Sequence, residues 1–117
     1  MKKLTGNLII GTHDVAATEG TMKALNPATN TLIEPDFALG GVAQVHQAAT
    51  LADEAFDSYS HTSLARRAAF LESIADNLEA VRTDLAARAA LETGLPQAQL
   101  EGEAGTGKTE IAKAIAA

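Results

Sequence analysis

The chain has 117 residues, a length that fits one small domain. Its formal net charge of −6 disfavours a nucleic-acid partner, because Lys and Arg supply most of the affinity for phosphates. It contains no Cys, which excludes disulfides, thiolate metal sites and a cysteine nucleophile among these residues. Aromatic residues make up only 3% and Trp is absent, so we expect a thin core that needs either a covering partner or a missing remainder of the chain.

The sequence predicts no membrane segment. No apolar run approaches the ~20 residues that a membrane-spanning helix needs. Thr5, Gly6 and Asn7 interrupt the apolar run that a signal peptide would require near the amino terminus. We therefore expect a cytoplasmic protein.

The first part of the chain has the alternation and turn residues of β-structure. Asn30 ends a Pro-led turn and tolerates a left-handed backbone, which favours a hairpin around it. The predicted elements are a strand over residues 4–10, a polar loop over 11–20, a strand over 21–26, a turn over 27–30 and a strand over 31–34 that stops at Pro35.

From Gly41 onward the apolar period changes to that of helices. The first helix is predicted over residues 42–59, with an apolar stripe at Val42, Val45, Ala49, Ala52, Phe56 and Tyr59. Thr62 or Ser63 caps a second helix over 64–81, and the short link between the two predicts an antiparallel pair. A third helix is expected from Thr83 to a stop at Gly94, and Pro96 opens a short fourth.

These elements predict an α/β fold class, α+β within this chain: an N-terminal β-hairpin, an antiparallel helix pair and further short helices. The bulky side chains are expected in its core, namely those of Met22, Phe37, Phe56, Tyr59 and Phe70. The three histidines have no metal-binding spacing and are expected at the surface: His13, His46 and His61. No carboxylate pair stands out as an acid/base couple, so we predict neither a catalytic residue nor a metal site.

One motif carries specific chemistry. Residues 102–109 match G-x-x-x-x-G-K-[ST], a phosphate-binding loop in which backbone N–H groups and a Lys hold phosphates and a hydroxyl ligates Mg²⁺. Its nucleotide contacts would be Gly102, Gly105, Gly107, Lys108 and Thr109, with Thr109 on the Mg²⁺. Such a loop should follow a buried strand, whereas residues 94–101 predict a helix cap, a Pro and a short polar helix.

Several segments, in order and spacing, make residues 4–103 resemble the amino-terminal part of aldehyde dehydrogenases. The segments are Gly6-Asn7-Leu8-Ile9-Ile10-Gly11, Asn26-Pro27-Ala28-Thr29-Asn30, Leu51-Ala52-Asp53-Glu54-Ala55-Phe56-Asp57-Ser58-Tyr59, Arg66-Arg67-Ala68-Ala69-Phe70-Leu71-Glu72-Ser73-Ile74-Ala75 and Glu92-Thr93-Gly94-Leu95-Pro96. The subgroup they resemble most is the NADP-using enzymes for α-ketoglutaric semialdehyde, with long-chain aldehyde enzymes as neighbours.

The resemblance implies oxidation of an aldehyde to a carboxylate, through a thiohemiacetal on a cysteine and hydride transfer to NAD(P). In the family, the cofactor sheet, the oxyanion Asn, the base Glu and the nucleophilic Cys all come later in a longer chain. We therefore assign no catalytic and no NAD(P)-binding residue here and expect no cofactor to bind this chain. The implied partners are the remainder of the dehydrogenase polypeptide and, at full length, further copies of it.

After Glu103 the sequence departs from the family pattern, and residues 104–117 resemble the phosphate loop and first helix of AAA+ ATPases. We expect two segments: 1–103 from a dehydrogenase and a foreign tail over 104–117. Two functions stay open at this point. One is part of an oxidoreductase that is inactive alone, and the other is the start of a P-loop ATPase that binds ATP. A small helical interaction module is a third possibility.

Overall fold

The computed structural model describes residues 3–105. Its described elements are two antiparallel hairpins followed by helices, which agrees with the predicted mixture of strands and helices. The strands are β1 (Leu8–Ile10), β2 (His13–Val15), β3 (Thr21–Asn26) and β4 (Thr31–Ala38); the helices are α1 (Val42–Ser60) and α2 (Leu64–Thr93), and residues 97–105 are also helical.

The first hairpin corrects two predictions. β1 is shorter than predicted because Gly6 has a φ of 73°, which interrupts extended backbone before Leu8. The predicted loop over 11–20 contains a strand, β2, which pairs Ile10 with His13 across a two-residue turn. Gly11 has a φ of 60° at the first turn position, as a type II′ hairpin turn requires. Gly followed by Thr is therefore the sequence signal for this turn, and the prediction of a loop did not use it.

The second hairpin confirms β3 and the turn after it. Asn30 has a φ of 54° and donates its N–H to the Asn26 carbonyl at 2.8 Å, as the left-handed turn position requires. β4 does not stop at Pro35 but continues to Ala38. In a two-stranded sheet each strand has an outer edge, where a residue without an N–H removes no ladder hydrogen bond.

The helices confirm one prediction and correct another. α1 has the predicted bounds within one residue, and Gln44 Oε1 accepts the Gly41 N–H at 2.9 Å to complete its first turn. The predicted second and third helices form the single helix α2, because no Gly or Pro interrupts the backbone hydrogen bonds between residues 64 and 93. Ser63, one of the two predicted caps, accepts the Arg66 N–H, and Gly94 ends the helix at a φ of 74°.

The described residues form two compact units. One comprises the hairpin tip, Asn26–Thr31, and the chain from Thr62 onward; the other comprises the residues up to Leu25 and Leu32–His61. α1 and α2 belong to different units, so their antiparallel packing stays a prediction. Pro96 accepts the N–H groups of Gln99 and Leu100, which confirms that it opens a helix.

Few side chains are buried. Within the described part of the chain, only Ile10, Ala75 and Ala86 form the buried hydrophobic set. The prediction that bulky side chains fill the core is wrong for Met22, Phe56, Tyr59 and Phe70, which are exposed, while Phe37 is half-buried. The three histidines are exposed, as predicted.

Candidate functional site

The candidate phosphate loop begins in a helix. Gly102 and Gly105 lie within the helical residues 97–105, whereas Gly107, Lys108 and Thr109 lie outside the described residues. Gln97 donates to Glu101 at 2.8 Å and Gln99 to Glu103 at 3.0 Å, a four-residue spacing that stabilises helix. No strand precedes Gly102 in residues 94–101, since these residues are an unstructured link and a helix.

This backbone is unsuited to holding phosphates. Beyond the first turn of a helix, each N–H is engaged by the carbonyl four residues earlier, so it cannot turn inward on an anion. An added Cβ at Gly105 would lie 3.4 Å from an Arg82 guanidinium nitrogen, a close but allowed approach of helix to side chain. The described half of the motif therefore lacks the strand and the turn that phosphate binding needs.

A second candidate site lies between α1 and β1. An open groove of about 280 Å³ runs between these elements, with Ile9 and Ile10 on one side and Gln44, Val45 and Ala48 on the other. Its lining is almost wholly apolar. The one polar side chain, Gln44, has its amide oxygen occupied by the Gly41 N–H at 2.9 Å and the Thr18 hydroxyl at 3.0 Å.

The groove exists because the side of α1 that faces β1 is not the side that the apolar period predicts. Gln44, Ala48 and Leu51 lie next to the first hairpin, and the Leu51 side chain contacts the Gly11 position. The predicted apolar stripe lies roughly a third of a turn away and is open: Val42 is 71%, Val45 65% and Phe56 66% exposed. Ile9, which lines the groove together with Val45, is 79% exposed.

The described residues were compared with two further kinds of site, a metal-binding cluster and a membrane-spanning helix. Between residues 3 and 105, no three His, Asp or Glu side chains are grouped closely enough to hold a metal ion. Across the same residues, no helix combines the length and apolar character needed to cross a membrane.

Comparison with known proteins identifies the family. The model of the aldehyde dehydrogenase family matches residues 15–117, so this chain belongs to that family. The match includes residues 104–117, and the resemblance to an AAA+ ATPase is not supported. The separate origin proposed for residues 104–117 stays a prediction.

Three relatives show how far the similarity extends. The chain is 46% identical over 104 residues to alpha-ketoglutaric semialdehyde dehydrogenase 2 of Azospirillum brasilense, covering 88% of this chain and 20% of that protein. It is 36% identical over 105 residues to alpha-ketoglutaric semialdehyde dehydrogenase of Acinetobacter baylyi (strain ATCC 33305 / BD413 / ADP1), covering 90% and 20%. It is 34% identical over 71 residues to 5-carboxymethyl-2-hydroxymuconate semialdehyde dehydrogenase of Escherichia coli, covering 61% and 15%. The chain thus spans about a fifth of the length of the first two relatives.

Proposed function

We propose that this chain forms the amino-terminal part of an NAD(P)-dependent aldehyde dehydrogenase that oxidises a semialdehyde to a carboxylate. The observation that carries the proposal is the 46% identity to an alpha-ketoglutaric semialdehyde dehydrogenase over 88% of the chain. The names of the relatives support a semialdehyde, an aldehyde that carries a second polar group, as the substrate class.

The chain contributes structure to this reaction and no reacting group. It contains no Cys, so it offers no thiol for the thiohemiacetal route of the family. Its thin core and open apolar helix face fit a segment that is stabilised by the remainder of a longer polypeptide. We therefore propose that the isolated 117-residue chain is inactive and binds no NAD(P), and that the complete enzyme is a cytoplasmic homo-oligomer.

A chimera tests this function. In it, residues 1–103 replace the matching segment of the Azospirillum brasilense enzyme, and NAD(P)H formation is followed with α-ketoglutaric semialdehyde. We expect activity within about tenfold of the parent enzyme. The exchanged segment is 46% identical to the one it replaces, so the exchange should conserve the fold and leave the reacting groups in place. A folded, soluble chimera without turnover would show that the chain does not fit the role.

The boundary after residue 103 is a separate proposal. A second chimera carries residues 1–117 of this chain in place of the matching segment of the relative. If residues 104–117 are foreign to the dehydrogenase, this chimera should be less active than the one that joins after residue 103. The joint after residue 103 is itself the matched control, because it keeps the relative's own residues at the positions of the tail. Equal activities of the two joints would assign the tail to the dehydrogenase.

A further inference from the structure

We draw no further inference here: the strongest candidate, the open apolar groove between α1 and β1 with Ile9 and Val45 exposed along it, carries nothing because no observation in the structure shows what covers it.

Discussion

At the scale of single residues, Gly6 lies unusually close to the backbone of β4. Gly6 has a φ of 73°, and a Cβ there would lie 1.8 Å from the backbone oxygen of Asp36. The Gly6 carbonyl accepts the Ala38 N–H at 2.7 Å, so this close approach ties the start of the chain to the end of β4. Backbone atoms cannot move aside as a flexible side chain does.

Gly6→Ala should therefore destabilise the chain by at least about 2 kcal/mol, from both the positive φ and the clash. The expected signature is faster amide exchange at Ala38. Gly20→Ala is the control, since Gly20 has a φ of 102° but nothing within 4 Å of an added Cβ. If both variants accelerated exchange at Ala38 equally, the close approach at Gly6 would not be the cause.

A second prediction at this scale concerns the ion pair across the β3–β4 hairpin. The pKa of Lys23 is raised above its ordinary value of 10.5, first because its ammonium group donates to Glu34 and also because Asp36 lies 3.9 Å away. Since the raised pKa favours the charged form in the folded state, the stabilisation is complete below pH 10.5 and is lost as the pH rises through the folded value.

An NMR titration of the Lys23 side chain tests the cause of this shift. Glu34→Gln should lower the midpoint toward 10.5, and by more than Asp36→Asn does, because the hydrogen bond to Glu34 is the larger contribution. A midpoint insensitive to Glu34→Gln, or more sensitive to Asp36→Asn, would contradict this assignment.

At the scale of elements, the sequence was informative where one local signal decides the structure. The apolar period placed α1, the Pro-led turn placed Asn30 in the left-handed region, and Gly94 marked the end of α2. The missed strand β2 is three residues long, too short for alternation to be visible. The false break near Thr83 came from interpreting a polar interruption as a boundary, although helices tolerate polar residues wherever the backbone is unbroken.

The candidate site was harder to predict, because a motif specifies only the order of residues, whereas binding depends on their arrangement in space. Residues 102–109 match a phosphate loop letter by letter, yet Gly102 and Gly105 lie in a helix. The groove beside α1 could not be predicted, since it depends on which side of the helix faces β1. The apolar period alone pointed to a stripe roughly a third of a turn away, which includes Val42, Val45 and Phe56 and of which Val45 alone lines the groove.

The helix over residues 97–105 leads to a prediction at Gly102. Gly102→Ala should preserve or raise helix content by circular dichroism, because Ala is better than Gly in a helix by about 1 kcal/mol and nothing lies within 4 Å of an added Cβ.

Calorimetry with Mg-ATP should give no binding to the chain, and Lys108→Ala should give the same result. A micromolar affinity abolished by Lys108→Ala would favour the ATPase interpretation.

At the scale of the whole molecule, the chain is poor in the side chains that fill a core. Two of its three buried hydrophobic residues, within the part that the structure describes, are alanines. Alanine favours helix formation but buries little apolar area. Helices such as α1 and α2 therefore form while their larger apolar side chains stay exposed to solvent. This is the pattern expected of a segment that is completed by more polypeptide.

The predicted antiparallel packing of α1 and α2 also belongs to this scale. We expect amides of both helices to be protected from exchange together, because each has an apolar stripe that needs a cover. If residues 64–81 exchanged at random-coil rates while residues 42–59 stayed protected, the two helices would not support each other.

The measurement that tests the central claim most directly is NAD(P)H absorbance with α-ketoglutaric semialdehyde, recorded for the 117-residue chain and for the chimera that carries residues 1–103. The account predicts no turnover above a blank for the chain, which has no Cys, and clear turnover for the chimera. Turnover by the isolated chain, or a folded chimera without activity, would contradict it.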